Sequence, residues 1–234
     1  MDTHSIDQRK ATYVRAIFQK VAANYDRMNT LMTVGQDRFW RSEVIKMAGL
    51  QGGMRVLDLG SGTGDLARMA VKAEPRIEIV AADISMEMML TGRRKGNLPF
   101  VAADAGQTPF SSGYFDVVIS GWLVRNVVNL DGVLAEQYRL LKPGGRIIIL
   151  DTTRPTRNLL TPFVWLHMHI VIPLLGRIVS RNPEAYQYLQ SSSESFLLAE
   201  DLAGKMEKAG FREVGFKRYM AGTIAIHWGE KWLL

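Results

Sequence analysis

Five aspartates stand where a ligand could meet them. Asp58, Asp65, Asp83, Asp104 and Asp151 each fall at or beside the carboxyl end of a β-like run, the edge along which open α/β sheets bind their ligands. The first two flank the most informative stretch, Arg55-Val-Leu-Asp-Leu-Gly60-Ser-Gly-Thr63-Gly-Asp65. Alternate glycines there let the chain turn sharply and come close to a ligand with no Cβ in the way. The dinucleotide fingerprint G-x-G-x-x-G is not met, because its third glycine falls on Asp65. A carboxylate at a helix N-terminus competes for the place of a pyrophosphate and suits a ligand that carries positive charge. That favours S-adenosylmethionine, with its sulfonium and ammonium, over NAD. Asp83 follows at about the twenty-residue spacing of a ribose-binding acid, and Asp104 is placed to accept from an adenine amino group. Each feature alone is compatible with packing; their succession along one edge carries the reading.

These residues need elements to hold them. The pattern predicts strands at 55–59, 77–83, 99–103, 115–121 and 146–151, and helices at 65–73, 85–94 and 131–141. A turn at Leu141-Lys-Pro-Gly-Gly145 precedes the last of these strands. Two helices come first, Arg9 to Asn24 and Asp37 to Met47. A helix around Ala199 to Ala209 and two β-type runs, Phe211 to Tyr219 and Gly222 to Trp228, close the chain. Strands alternating with helices imply right-handed crossovers and a doubly wound, mostly parallel sheet. The 234 residues read as one domain, with an N-terminal helical cap over 1–48 and an apolar, basic insertion over 152–198.

Composition narrows the chemistry. The chain has no cysteine, which excludes disulfides, thiolate metal sites and cysteine nucleophiles. His4, His167, His169 and His227 have no metal-ligand spacing, so no metal is expected. The polar, charged start lacks the pattern of a secretory signal, and a cytoplasmic protein is expected. The net charge of +6 raises nucleic acid as a partner, but the basic residues form no run interleaved with aromatics. They gather around the insertion instead: Arg154, Arg157, Arg177 and Arg181 flank an apolar stretch with no acid between Thr152 and Pro183. Apolar surface rimmed by arginine describes a peripheral membrane element at the inner face of the bilayer. The uncharged run from Asn158 to Gly176 approaches the length of about 20 residues needed to span, but Pro162 and Pro173 break it. A lid of two short helices is the preferred reading; a buried helix pair is the alternative. Nothing in the pattern distinguishes a monomer from a homo-oligomer.

Narrower motifs run from about residue 17 to 231: Val21-Ala-Ala-Asn-Tyr25-Asp-Arg-Met-Asn29, Arg125-Asn126-Val127, Tyr186-Gln-Tyr-Leu189 and Ala221-Gly-Thr-Ile-Ala-Ile-His227. With them the chain resembles the ubiquinone/menaquinone biosynthesis C-methyltransferases, a class I S-adenosylmethionine-dependent family with a Rossmann-like seven-stranded sheet. The resemblance implies methyl transfer from S-adenosylmethionine to a ring carbon of a lipid-tailed, polyprenylated quinol, with no nucleic acid as partner. It assigns cofactor contacts to Thr63, Asp83, Asp104 and Ala105, beside the turn at Gly60. It makes Arg125 and Asn126 donors to a developing phenolate and Tyr25 a closing group over the cofactor; the alternatives are an Arg125 that only pairs with a structural acid and a Tyr25 that belongs to the core. His227 is the only histidine outside the insertion available as base; a water is the alternative.

The chain also departs from the family. Asp104 replaces the usual asparagine, Gly121 (with Ser120 before it) the usual serine, Trp122-Leu123 the usual Phe-Gly, and Trp228 the usual arginine. A class I methyltransferase with another small or lipid substrate, and a non-catalytic cofactor-binding subunit, are the rival readings.

Overall fold

A computed structural model of the chain describes residues 12–14, 16–19, 22, 25–154, 170, 188, 191–193 and 195–232. Residues 12–14 and 16–19 are helical, within the first expected helix. Helix α1 (Tyr25–Met32) and helix α2 (Asp37–Ala48) follow. The alternating part comprises β1 (Arg55–Leu59), α3 (Asp65–Ala73), β2 (Glu78–Asp83), α4 (Met86–Arg93), β3 (Phe100–Ala102) and β4 (Phe115–Gly121). After a 3-10 turn at Val124–Asn126 come α5 (Leu130–Leu140) and β5 (Leu141–Thr152). Helix α6 (Ala199–Lys208), β6 (Phe211–Tyr219), a 3-10 turn at Met220–Gly222 and β7 (Ile224–Lys231) complete it. Of the insertion over 152–198, residues 152–154 at its start, Ile170 and a few residues near its end are described. The expected lid, Trp165 and the arginines at 157, 177 and 181 lie outside the described residues.

The seven strands run in the order β3-β2-β1-β4-β5-β7-β6. The first five are parallel, and β7 lies antiparallel to both β5 and β6. The doubly wound expectation holds, and alternation explains why. Val56, Ile79, Val117, Ile119, Ile148 and Leu150 face α2 and α3 in one cluster. Leu57, Leu59, Val118, Ile147 and Ile149 face the other way, among Leu134 and Leu140 of α5 and Leu202 and Met206 of α6. A sheet buried on both faces needs apolar residues in both registers. Helix α2 meets it with Trp40, Val44, Ile45 and Ala48 along one stripe.

One element differs from expectation. Leu141-Lys-Pro-Gly-Gly145 is not a turn before β5 but part of it. Phe115 pairs with Leu141 and Val117 with Arg146, so the intervening residues bulge out of the ladder. Gly144 takes φ 75 there, a left-handed conformation that glycine adopts without a Cβ penalty. No helix among the described residues is long and apolar enough to cross a membrane.

Candidate active site

The carboxyl ends of β1, β2 and β4 open into a cavity of about 320 Å³. The turn after β1 forms its floor. Gly60 and Gly62 sit at φ 70 and φ 56. A Cβ on Gly60 would stand 2.7 Å from Leu123, whereas one on Gly62 would meet nothing within 4 Å. The first glycine therefore lets the turn pack, and the second leaves space open above the backbone. Asp83 braces the turn from β2: its Oδ2 accepts from the Gly62 N–H (2.7 Å) and its Oδ1 from the Ser85 N–H (2.8 Å). Burial raises its carboxyl above the ordinary value, against those backbone bonds.

Gly60, Thr63, Asp83, Asp104, Ala105, Tyr25 and Asn126 all line this cavity. Asp104 holds its own loop, accepting from the Gly106 N–H at 2.7 Å. The Thr63 hydroxyl donates to Asp26 Oδ1 (2.9 Å), and Lys95 reaches the other oxygen of that carboxylate. Tyr25 is buried, which raises its phenol pKa against the opposing charges of Arg125 and Arg41. Of the two candidates for the family's serine position, Gly121 lines the cavity, while the Ser120 hydroxyl is buried without a partner among the described residues.

Three residues are placed elsewhere than their sequence positions suggested. Asp65 does not line the cavity; its carboxylate meets Arg68 at 3.1 Å, Lys95 at 3.4 Å and Arg41 at 3.5 Å. Its charge is met by three cations of the protein. Arg125 turns away too, donating from Nη1 to Asp151 at 2.6 Å, with its backbone N–H on the same carboxylate at 3.2 Å. Both side chains are almost fully buried, and the guanidinium lies over the Trp122 ring, 5.1 Å from its centre. His227 sits inside the sheet. Its Nε2 donates to the Ala199 carbonyl at 2.9 Å, and burial lowers its pKa to about 4. It neither lines the cavity nor stays protonated near neutrality. Replacing it with glutamine should therefore leave the shape of the pH–kcat profile unchanged in whatever protein folds; loss of the acidic limb would restore it as the base.

Asn126 is held at both ends of its amide. Nδ2 donates to the Trp122 carbonyl (2.7 Å), and Oδ1 accepts from the Tyr188 hydroxyl (3.0 Å). Burial lifts the Tyr188 pKa to about 12, so it remains a donor. These partners fix which end of the amide is nitrogen and leave one Nδ2 hydrogen for another acceptor.

Sequence reasoning did not place Asp26 or Arg41 at this cavity, and did not single out Asp58 among the strand-end acids. Asp26 lies inside a motif already quoted, but Arg41 had no local signal, since an arginine on a helix is ordinarily a solvated residue. Asp58 is 1% exposed. Its Oδ2 accepts from the Ala67 N–H at 3.0 Å, and its Oδ1 has no partner among the described residues. Burial raises its pKa to about 7; the Ala67 bond and Arg41 oppose this, while Asp83 and Asp65 add to it. A raised carboxyl pKa means that the folded state holds a proton which the unfolded state releases. The unliganded protein should thus lose stability as pH rises from 3.8 towards 7. Asp58→Asn should flatten that window. Its new Nδ2 is itself unpaired, so the net gain at pH 8 is about 1 kcal/mol, or ~2–4 °C in Tm. Melting curves between pH 4 and 8 check this; parallel wild-type and variant curves would contradict it.

Asp58, Asp83, Asp104 and Asp26 thus face one cavity whose lining, among the described residues, includes a single cation, Arg41. The rest of the lining joins apolar side chains, Val14, Phe18, Leu66, Ile84, Met88 and Leu123 among them, with Ser61, Ser85, Asn126 and Asn129. Acids, an open glycine floor and apolar side chains lining one cavity fit a cationic nucleoside cofactor beside an apolar substrate.

Residues 6–231 match the ubiE/COQ5 methyltransferase family. Similar proteins include the ubiquinone/menaquinone biosynthesis C-methyltransferase UbiE of Desulfotalea psychrophila, 42% identical over 225 residues, spanning 95% of this chain and 92% of that protein. The protein of the same name from Stutzerimonas stutzeri is 38% identical over 233 residues, spanning 96% and 91%. Among solved structures, the Haloferax volcanii complex of the Trm112 methyltransferase activator with a putative methyltransferase contains a similar fold. It gives TM-score 0.65 at 18% identity, covering 92% of this chain and 97% of that one. A Thermotoga maritima S-adenosylmethionine-dependent methyltransferase gives 0.62 at 23%, covering 93% and 99%.

Proposed function

This chain belongs to the ubiE/COQ5 methyltransferase family, and from that premise we propose that it methylates a ring carbon of a lipid-tailed quinol in menaquinone or ubiquinone biosynthesis, with S-adenosylmethionine as donor. The observation that carries the reading is one cavity lined by strand-end acids, an open glycine turn and a set of apolar side chains. When bound, the cofactor supplies an electrophilic methyl on a sulfonium. Asp83 accepts from the ribose hydroxyls, Asp104 and Ala105 border the adenine, and the free Oδ1 of Asp58 faces the positive charge. Gly60 and Thr63 shape the turn beneath.

A ring carbon becomes nucleophilic when a neighbouring hydroxyl loses its proton and the anion delocalises. The protein's part is to align the ring and stabilise that oxygen. One preorganised donor at such an oxyanion is typically worth ~3 kcal/mol. Asn126 holds that position here, since its spare Nδ2 hydrogen is aimed by Trp122 and Tyr188. Tyr25 closes the cavity from α1. Arg125 acts as a positioning residue: its pair with Asp151 anchors the 3-10 turn that carries Asn126. Peripheral contact with the cytoplasmic face of a membrane follows from the substrate's tail.

The test is methyl transfer from labelled S-adenosylmethionine to reduced, demethylated naphthoquinol and benzoquinol, with products identified by mass. A product methylated on carbon supports the reading and tells which ring is used. Cofactor binding with no transfer to either ring overturns it.

A further inference from the structure

The connection between α1 and α2 is built against its own stability. The Gly35 N–H reaches back to the Thr30 carbonyl at 2.7 Å, a six-to-one closure that puts the preceding residue in the left-handed position normally given to glycine. That residue is Val34, at φ 52. A β-branched side chain there is a genuine outlier, although Gly35 stands next to it. Val34 is also 72% exposed, so no core contact compensates the strain. Leu31 (37%), in the last turn of α1, and Phe39 (52%), in the first turn of α2, are exposed on either side of it.

The charges around these residues are one-sided. Arg27 and Arg38 are exposed. The only acid between them, Asp37, is 4% exposed and turned inward, bonded to Thr30 (3.4 Å) and Thr33 (3.3 Å). Beyond Phe39, which packs edge-on against Tyr219, Lys46 and Lys217 are exposed and cover Glu43 at 2.8 Å and 3.8 Å. The outcome is a braced tip with apolar residues at its end and a collar of cations behind them.

We propose that this α1–α2 tip is a docking element for an anionic lipid surface. It deepens and rests on the reading of a lipid-tailed substrate, which has to be met at a bilayer. Strain at an exposed apolar residue is a cost that a folded protein retains where the side chain acts outside the fold, and the collar of cations complements anionic headgroups. Tyr25, at the other end of α1, lines the cavity. At the helical rise, Val34 lies roughly 13 Å further along. A tip seated in the headgroups would thus hold the cavity within reach of a tail that stays in the bilayer.

The experiment measures co-sedimentation of the full chain with vesicles of phosphatidylcholine, with and without phosphatidylglycerol, at low and high salt. Wild type should bind the anionic vesicles and release in salt. Val34→Gly should weaken binding about fivefold while leaving Tm equal or raised, because glycine relieves the strain. Arg27→Gln and Arg38→Gln should each cost about fivefold. Transfer to a short-tailed, water-soluble quinol should be unchanged in all three. Wild type that stays in solution, or binding untouched by the three substitutions, overturns the tip; so does a Val34→Gly variant with lowered Tm, since the valine would then serve the fold. Vesicle binding that follows these expectations in a protein that methylates no quinol would sink the proposed function and leave the tip standing.

Discussion

Arg125→Met should leave a protein destabilised by about 3–5 kcal/mol, because it strands the Asp151 carboxylate inside the sheet with its charge uncompensated. The pair is a direct 2.6 Å contact, and both partners are almost fully buried. Arg125→Lys keeps the charge but loses the planar fork and the stacking over Trp122. It should fold, bind cofactor normally and turn over slowly, because the turn carrying Asn126 is no longer fixed. Asp151→Leu combined with Arg125→Met removes both charges, and stability should return in part. The return is incomplete because Asp151 also accepts from the Arg125 and Thr152 N–H groups. Turnover should not return with it. Chemical denaturation, cofactor titration and kcat on the same four proteins check the whole pattern. A lysine variant with wild-type kcat would reduce Arg125 to a purely structural role, and a methionine variant of unchanged stability would contradict the buried pair.

That pair also marks where the sequence stops being legible. Asp58, Asp83, Asp104, Asp65 and Asp151 look alike in the chain, since each ends or follows an apolar run. Which of them faces a ligand depends on where cations arrive from elsewhere in the fold. Arg41 reaches Asp65 from α2, and Lys95 from the loop after α4; Asp151 is met by Arg125 across the ends of neighbouring strands. No local pattern encodes those approaches. The sheet was legible for the opposite reason: alternation and turn glycines are local, and they act the same way wherever the strand ends up. The Lys142-Pro-Gly-Gly145 bulge carries turn residues without turning the chain, because the Phe115–Leu141 pairing resumes the ladder before it. His227 was legible as a strand residue, but not as one whose Nε2 is used on the Ala199 carbonyl, which only the docking of α6 decides.

Asp83→Ala should raise the dissociation constant for S-adenosylhomocysteine by roughly 30- to 150-fold, the 2–3 kcal/mol of a charged acceptor lost from two hydroxyls. The structure adds a complication that the sequence did not contain. The same carboxylate braces the glycine turn through Gly62 and Ser85, so a weaker ligand could reflect a disturbed turn rather than a lost ribose contact. A second substitution made on the ligand separates these causes. If Asp83 binds the ribose, removing the 2′-hydroxyl from the ligand should weaken wild type about tenfold and the alanine variant hardly at all, since the partner is already gone. If the turn alone is disturbed, the deoxy ligand loses the same factor in both proteins. Asp83→Asn, which retains an acceptor without the charge, should fall between wild type and alanine for the ribose-bearing ligand. Equal losses for the deoxy ligand in wild type and alanine would remove Asp83 from the ribose and leave it as a brace for the turn, with Asp104 and Asp58 as the acids still facing the cofactor.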